Sequence, residues 1–287
     1  MQLLSTVAAV RGWSTPLRLA GKRIGVVPTM GALHAGHLSL VEASVAKCDA
    51  TVATIFVNPS QFAPHEDFDR YPRNFEQDCE MLERAGCAAV FAPARDEMYP
   101  AGYSSGIKPP AAAEDLEGRF RPTHFAGVCE VVLKLFHIAQ ATDAFFGLKD
   151  FQQFTVLRQM VDDLNLPVRM HGEPTVRESD GLAMSSRNRY LSADERRRAL
   201  GISASLRACR EAVQMGERKA ATLERLMAER LAAAGIGEVQ YAVVCDADTL
   251  RPIESIERMA VALVAAKVGS TRLIDNFLLS PEQDVPL

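Results

Sequence analysis

The chain has 287 residues, of which 48% are hydrophobic and 24% are charged, and these proportions are typical of a globular protein. They exclude a largely disordered chain, and no apolar stretch approaches the roughly 20 residues that cross a bilayer. The net charge is −4, with 16 basic and 20 acidic side chains in residues 1–174 and 16 of each in residues 175–287. Neither part has the basic excess that binding to nucleic-acid phosphates requires, so we expect neither nucleic acid nor membrane as a partner.

The cysteines and the first residues predict the compartment. The six cysteines are scattered along the chain, and none forms a C-x-x-C pair, so the sequence indicates neither a zinc site nor a redox motif. The first thirteen residues, MQLLSTVAAVRGW, have no basic lead before a short apolar stretch, so we expect no secretory signal. Both observations favour a cytoplasmic protein with reduced thiols.

Residues 1–174 alternate short apolar runs with amphipathic segments of helical period. The runs of strand length are residues 22–28, 50–57, 87–92 and 144–146. The helical segments lie within residues 31–47, 75–85, 128–139 and 151–164. Strands and helices that alternate with short connections predict an α/β domain with a parallel sheet.

The pattern changes in the last third of the chain. Ser192 and Glu195 fit a capping box, which predicts a long helix from there to about residue 215. A second helix is predicted over residues 222–234, and strands over residues 239–244, 261–267 and 273–278. Helices followed by strands favour a smaller α+β domain, so we divide the chain into domains 1–174 and 175–287.

The segment PTMGALHAGH, residues 28–37, follows the first predicted strand and opens the first helix. Ligands bind beyond the carboxyl ends of strands in open α/β sheets, and a helix N-terminus suits phosphate. Gly31 and Gly36 allow the backbone to approach a ligand, and His34 and His37 can face one spot and stabilise charge on a phosphate. A bare H-x-x-H pair is more often two surface histidines, but this setting favours the phosphate interpretation.

Two further polar segments follow predicted strands. Asn58 and Gln61 are amides suited to hydroxyls and carboxylates, although a plain turn is an equal alternative. Lys149 is placed to contact phosphate, Asp150 is placed to cap the next helix, and Gln153 lies one turn later. Capping alone is a substantial alternative for Asp150, and it does not exclude ligand binding.

The fourth segment is MSSRN, residues 184–188, just after the predicted domain boundary. Two hydroxyls and a guanidinium in a loop make a phosphate clamp, although such triplets are common in solvated loops.

Together these segments identify a resemblance. HAGH resembles the HIGH motif of the nucleotidyltransferase superfamily, and residues 184–187 resemble its KMSKS loop. The specific resemblance is to the pantoate–β-alanine ligase (pantothenate synthetase) family. It runs in order through PTMGALHAGHLSL, FVNPSQF, YPRN, FAGVCEVVLKLF, FGLKDFQQ, PTVRESDGLAMSSRNRYLS and, more loosely, VGSTRLIDN. The resemblance implies a Rossmann-like first domain, a homodimer formed through it, and ATP-dependent condensation of pantoate with β-alanine through a pantoyl adenylate.

The resemblance also implies a role for each matching residue. The catalytic residues would be His37, His34, Lys149 and Arg187. ATP would be bound by Met30, Gly31, Ala32, Leu33, His34, Ala35, Gly36, His37, Gly147, Leu148, Lys149, Asp150, Val176, Met184, Ser185, Ser186 and Arg187. Gln61 would bind pantoate and lie beside β-alanine, and Gln153 would hold pantoate. Leu148 departs from the polar residue that the family commonly has there, which leaves its backbone as the contact with ATP.

No protein-bound metal site is implied, because Mg²⁺ would be held largely by the ATP phosphates, with Asp78 as a weak candidate to assist. Closure of the second domain over the first would seal the adenylate from water.

Two other functions compete with this hypothesis. A tRNA-charging enzyme shares the HIGH motif but needs an RNA-binding surface, which the charge count does not support. A non-catalytic nucleotide-binding protein would be indicated by loss of a histidine or of Lys149, and all of these residues are present.

Overall fold

The structure is a computed structural model, and it describes residues 1–62, 68, 71–72 and 74–282. Arg73 of the YPRN motif lies outside the described residues. The chain forms two compact units, the first comprising residues 1–148 and 156–173 and the second comprising residues 149–155 and 174–287. The division into folding domains at residues 174 and 175 stays a prediction. Among the described residues, no helix has the length and apolar character that a membrane span needs.

The first unit contains a six-stranded sheet in the order β1-β4-β3-β2-β5-β6, with every neighbouring pair parallel. The strands are β1 (Gln2–Leu4), β2 (Ile24–Thr29), β3 (Ala50–Ile55), β4 (Ala89–Phe91), β5 (Asp143–Gly147) and β6 (Arg169–Glu173). The order reverses beside β2, so the loop after β2 lies at a topological switch point, where ligands bind in such sheets. The predicted α/β class and its parallel sheet are confirmed.

Seven helices among the described residues accompany this sheet. They are α1 (Val7–Leu19), α2 (Ala35–Lys47), α3 (Phe75–Arg84), α4 (Arg95–Met98), α5 (Glu117–Phe120), α6 (His124–Ala139) and α7 (Phe151–Asp163). The core between α2, α3 and the sheet is apolar and includes Val27, Leu40, Leu82 and Val90. The first five residues of α7 group with the second unit.

The sequence analysis did not identify β1, α1 and β6. Strand β1 is only three residues long, and α1 contains Gly12 and Pro16, which disfavour a helix. The N-terminus of α1 is nevertheless capped by Thr6, whose side chain accepts a hydrogen bond from the Ala9 N–H at 3.1 Å. Strand β6 has the polar sequence RMHGE because it lies at the sheet edge, where all five of its residues are exposed or partly exposed.

A buried polar cluster lies at the amino-terminal ends of β2 and β5. The fully buried carboxylate of Asp143 accepts hydrogen bonds from Arg23 at 2.6 and 3.1 Å, from His171 at 2.8 Å and from Thr142 at 2.7 Å. Burial alone raises the pKa of Asp143, but the hydrogen bonds from Arg23, His171 and Thr142 outweigh it and hold the pKa below its usual value. The cluster therefore depends on an ionised carboxylate.

The second unit contains a three-stranded antiparallel sheet in the order β7-β8-β9, with helices α8 (Ala193–Gln214) and α9 (Ala220–Ala233). The strands are β7 (Glu238–Asp246), β8 (Ala260–Val268) and β9 (Thr271–Leu279). The predicted capping box is present: Ser192 Oγ accepts from the Glu195 N–H at 3.3 Å, and a Glu195 carboxylate oxygen accepts from the Ser192 N–H at 2.8 Å. Helices and sheet share one apolar core, which includes Leu206, Leu223 and Phe277. The predicted smaller α+β unit is confirmed.

Candidate active site

The loop between β2 and α2 is built around the buried side chain of Asp78. Gly31 and Ala32 both have left-handed backbone conformations, with φ of 81° and 51°. These turns aim two backbone N–H groups at α3, where the Asp78 carboxylate accepts from Ala32 at 2.9 Å and from Leu33 at 2.8 Å. A side chain on Gly31 would bring its Cβ within 3.0 Å of Asp78 Oδ2, so glycine is required there. The hydrogen bonds to Asp78 therefore fix the conformation of this loop.

The same geometry removes Asp78 as a candidate to assist Mg²⁺. The residue is 2% exposed, and both of its carboxylate oxygens accept backbone hydrogen bonds. Within the described part of the chain, no group of three or more His, Cys, Asp or Glu side chains is arranged to hold a metal ion. We still expect Mg²⁺ to arrive with the phosphates of a nucleotide.

His34 and His37 lie together at the N-terminus of α2, as predicted. His34 is the residue before the helix, and its carbonyl accepts from the His37 N–H at 2.8 Å. The two rings are 4.0 Å apart between centroids, and His37 Nδ1 accepts from the His34 backbone N–H at 3.3 Å. Because Nδ1 accepts, neutral His37 carries its proton on Nε2, which leaves that atom as a donor. An imidazole N–H and the N-terminus of a helix together suit an anionic ligand.

Gln61 lies beside this loop. It belongs to the short 3₁₀ turn Pro59–Gln61, which follows β3. Gln61 Nε2 lies 2.9 Å from Met30 Sδ, and Gln61 Oε1 accepts from Asn58 Nδ2 at 3.3 Å. The structure therefore brings two segments of the predicted site into contact within the first unit.

Asn58 anchors this turn and is only 1% exposed. Its Nδ2 donates to the Gly127 carbonyl at 3.1 Å, and its Oδ1 accepts from the Tyr99 hydroxyl at 2.9 Å. A Cβ on Gly127 would lie 2.4 Å from the Ser60 carbonyl oxygen and 2.7 Å from the Gln61 nitrogen. Helix α6 therefore packs directly against the backbone of the turn, which only glycine permits.

His124 and Arg121 hold the other side of the Gln61 turn. His124 Nδ1 lies 3.0 Å from the Gln61 carbonyl oxygen, and Arg121 Nη1 lies 3.1 Å from His124 Nε2. Because a carbonyl only accepts and a guanidinium only donates, neutral His124 carries its proton on Nδ1. Sequence reasoning missed Tyr99, Arg121 and His124 as parts of the site, since no pattern links them to residues 58–61.

In the second unit, Lys149 and Asp150 lie in a 3₁₀ turn, Leu148–Asp150, immediately before α7. Lys149 Nζ lies 3.7 Å from Asp150 Oδ1, and the Lys149 carbonyl accepts from Asn276 Nδ2 at 2.8 Å. Gln153 lies in the first turn of α7 and is half-buried. The predicted position of Asp150, directly before the helix, agrees with the structure.

The MSSRN segment is a structured turn. The Met184 N–H donates to the Val176 carbonyl at 3.0 Å, and Ser185 Oγ accepts from the Arg187 N–H at 3.3 Å. Residues Ser186–Tyr190 then form a 3₁₀ helix. Glu178 fixes this helix because its carboxylate accepts from Asn188 at 2.7 Å and, through its other oxygen, from Arg196 at 2.7 Å.

The predicted ATP-binding residues divide between the two units. The first unit contains Met30, Gly31, Ala32, Leu33, His34, Ala35, Gly36, His37, Gly147 and Leu148, together with Gln61. The second contains Lys149, Asp150, Gln153, Val176, Met184, Ser185, Ser186 and Arg187. Within each unit, backbone and side-chain hydrogen bonds give the segments a defined geometry.

The family model described as pantoate-beta-alanine ligase matches residues 2–278. The chain belongs to the pantoate–β-alanine ligase family. A pantothenate synthetase of Moorella thermoacetica is 49% identical over 279 residues, which cover 97% of this chain and 99% of the relative. Family membership over nearly the whole chain makes this protein an enzyme, and the resemblance drawn from its motifs is confirmed.

Solved structures of pantoate–β-alanine ligases share the whole fold. The pantothenate synthetase of Thermus thermophilus superposes with a TM-score of 0.92 at 42% identity and covers 96% of this chain and 99% of its own. The pantoate-beta-alanine ligase of Francisella tularensis, described as a complex with beta-gamma ATP and beta-alanine, superposes with a TM-score of 0.80 at 31% identity, covering 97% of each chain.

Proposed function

We propose that this ligase condenses (R)-pantoate with β-alanine to form pantothenate, driven by ATP through a pantoyl-adenylate intermediate. The observation that carries the proposal is the His34–His37 pair at the N-terminus of α2, on a loop that Asp78 shapes and that Gln61 contacts. A rigid set of donors beside a polar amide suits a nucleotide phosphate next to a small hydroxy acid.

In the first step, a pantoate carboxylate oxygen attacks the α-phosphorus of ATP. The bond from that phosphorus to the bridging oxygen breaks, and pyrophosphate leaves with the electron pair. Negative charge grows on the phosphoryl oxygens, where the Nε2–H of His37 donates and where His34, Lys149 and Arg187 supply further stabilisation. Positioning and charge stabilisation are sufficient for this chemistry, which needs no protein nucleophile.

The remaining segments would orient ATP. The loop Met30 to His37, which includes the N-terminus of α2, would hold the phosphates, and residues 184–187 would close over them. Asp150 would bind the ribose, and Val176 would contact the adenine through its backbone. Gly147 and Leu148 would contact the nucleotide through backbone atoms, which accommodates the apolar Leu148 side chain.

In the second step, the amine of β-alanine attacks the acyl carbon of pantoyl adenylate. The amine loses a proton, an amide bond forms, and AMP leaves with the electrons of the anhydride bond. Gln61 and Gln153 would hold pantoate through both steps, with Gln61 beside the incoming amine. The fixed side chain of Gln61 supports this role because both of its amide atoms have partners in the first unit.

Mg²⁺ would bind through the ATP phosphates, where it would neutralise charge on the leaving pyrophosphate. We further propose a cytoplasmic homodimer formed through the first unit. Sedimentation equilibrium of the purified protein tests the dimer, and a monomer at micromolar concentration would contradict it.

A substrate-omission assay tests the reaction. The full mixture of pantoate, β-alanine, ATP and Mg²⁺ should yield pantothenate, AMP and pyrophosphate in equal amounts. Pantoate and ATP without β-alanine should give a stoichiometric burst of pyrophosphate while the adenylate stays bound. Sustained AMP release that is independent of β-alanine would count against the assignment, and pyrophosphate exchange that depends on tRNA would favour a tRNA-charging enzyme.

A further inference from the structure

Two adjacent residues of β9, Asp275 and Asn276, hold both of the nucleotide-binding segments of the second unit. They are 4% and 6% exposed. Successive side chains of a strand point to opposite faces of the sheet, so the two residues act on opposite sides of β9. Asp275 pairs with Val264 across the sheet, and Asn276 pairs with Leu263.

Asn276 fixes the turn that carries Lys149. Its Nδ2 donates to the Lys149 carbonyl at 2.8 Å, across 127 residues of sequence. This hydrogen bond fixes the peptide that joins Lys149 to Asp150, and so it fixes the backbone from which both side chains extend. The lysine side chain has four rotatable bonds, and fixing them in one conformation costs entropy. The position of the Lys149 Cα therefore decides where the ammonium group can bind with the smallest entropic cost.

Asp275 fixes the segment that carries Val176 and Met184. Its carboxylate accepts from Arg177 Nη1 at 2.8 Å and from Nη2 at 3.0 Å, a bidentate pair in which both side chains are nearly buried. Arg177 also lies 4.5 Å from the ring centroid of Phe277 and donates to the Gly181 carbonyl at 3.2 Å. Since Arg177 forms an antiparallel bridge with Ala183, the pair sets where the chain enters the MSSRN turn.

We propose that Asn276 and Asp275 are positioning residues for the adenylation step: Asn276 places Lys149, and Asp275 places residues 176–187 through Arg177. The inference rests on the proposed function, because it assumes that both segments contact ATP. Neither residue needs to touch ATP itself. Strand β9 thereby fixes the positions of both segments relative to each other. Loss of either the Asn276–Lys149 or the Asp275–Arg177 interaction would therefore displace a residue that contacts phosphate.

Asn276→Ala tests the first half. The variant loses the hydrogen bond to the Lys149 carbonyl, so we expect the KM and Kd for ATP to rise by about 3- to 10-fold while the KM for β-alanine changes less than about 2-fold. Gln240→Ala is the matched control: it removes an amide that accepts from Arg272 of β9 at 2.7 Å, and it should leave both constants unchanged. An unchanged ATP affinity in Asn276→Ala overturns the proposal.

A double variant separates positioning from general loosening of the unit. Residues that act through one another are non-additive, so Asn276→Ala should have less than about a 2-fold effect on ATP affinity in a Lys149→Ala background. The same loss in both backgrounds would show that Asn276 does not act through Lys149, and it overturns that half of the proposal.

Arg177→Lys tests the Asp275 half, because Asp275→Asn would leave a buried guanidinium without its counter-charge and so threatens folding. Lysine keeps the positive charge but loses the bidentate geometry, and we expect ATP affinity to fall by about 3- to 10-fold while the unit stays folded by circular dichroism. Wild-type affinity in a folded Arg177→Lys variant overturns this half.

Calorimetric titration with ATP and Mg²⁺ separates this proposal from the proposed function. If the wild-type enzyme forms no pantothenate but Asn276→Ala still weakens ATP binding, the reaction is wrong and the positioning role stands. If the wild-type enzyme forms pantothenate and Asn276→Ala matches it in every constant, the reaction stands and the positioning role fails.

Discussion

His37 Nδ1 accepts a hydrogen bond from the His34 backbone N–H at 3.3 Å, and this contact decides which ring nitrogen of His37 is the acceptor. In neutral His37 the proton is then on Nε2. The first histidine of the motif therefore orients the second through its backbone, whatever its own side chain does.

Replacing His37 with alanine should lower the rate of adenylate formation by at least ~100-fold, the scale of a lost charge stabiliser or acid. Pyrophosphate release from pantoate and ATP in a single turnover measures this step directly. His137→Ala, which removes an exposed histidine from α6, serves as the control and should keep the wild-type rate. A near-normal rate for His37→Ala would remove His37 from the mechanism.

Gln153→Ala should raise the KM for pantoate by more than the KM for ATP, because the side chain is expected to hold pantoate. Loss of one or two neutral hydrogen bonds corresponds to about a 3- to 30-fold change. Initial rates with each substrate varied in turn give both constants. Gln214→Ala removes an exposed glutamine at the end of α8 and should change neither. Equal changes for pantoate and ATP would indicate a structural role for Gln153.

Asp78→Asn should reduce both stability and affinity for ATP. An amide offers one acceptor where the carboxylate offers two, so the N–H of Ala32 or of Leu33 loses its partner, and about 1–3 kcal/mol of unfolding free energy is lost. Urea unfolding and the KM for ATP measure the two effects. Glu76→Gln, an exposed neighbour in the first turn of α3, is the control. A selective rise in the Mg²⁺ requirement instead would restore Asp78 as a metal ligand.

Gly127→Ala should destabilise the enzyme by about 1–3 kcal/mol and weaken pantoate binding. The added methyl group meets the backbone of Ser60 and Gln61, so the turn must move and carry the Gln61 side chain with it. Gly12→Ala is the matched control: it lies inside α1 with nothing within 4 Å of a new Cβ, and it should stabilise by about 0.5–1 kcal/mol. Thermal unfolding and pantoate titration report both effects, and a neutral Gly127→Ala would contradict the packing argument.

We expect Asp143 to make the free energy of unfolding depend on pH in the acidic range. Its pKa is lowered in the folded protein, so its contribution is fully present above the unfolded value of about 3.9 and is lost as the pH falls through the lower folded value. The free energy of unfolding should therefore decline below about pH 4, and Asp143→Asn should flatten that part of the profile. A mutant profile parallel to that of the wild type would show that other carboxylates control acid unfolding.

Sequence reasoning could propose only those parts of the candidate site that are local in the chain. The loop of residues 30–37 was identified because a strand, two glycines and two histidines fall within one short segment. Sequence reasoning offered Asp78 only as a weak candidate to assist Mg²⁺, not as the acceptor that shapes the loop, and it missed Tyr99 and His124. The partners of these three residues lie 46, 41 and 63 residues away, and no periodicity encodes such distances. Long-range contacts of single side chains are visible only once the sheet has brought their elements together.

The net charge of residues 1–174 is likewise a limited guide to the candidate site. The acidic excess of residues 1–174 is a poor guide to nucleotide binding, because two of those carboxylates, Asp78 and Asp143, are buried and hydrogen-bonded. We expect anion binding to depend instead on the local electrostatic field, to which the helix N-terminus beside His34 and His37 contributes.

The Asp78 carboxylate also determines how the loop behaves before ATP arrives. The amide protons of Ala32 and Leu33 are bonded to a buried acceptor, so they should exchange slowly with deuterium in the enzyme without ligand, and ATP should slow them little further. The conformational entropy of this loop is thus lost during folding and not during binding. We therefore expect nucleotide affinity to depend partly on α3, the helix whose Asp78 side chain is hydrogen-bonded to the loop.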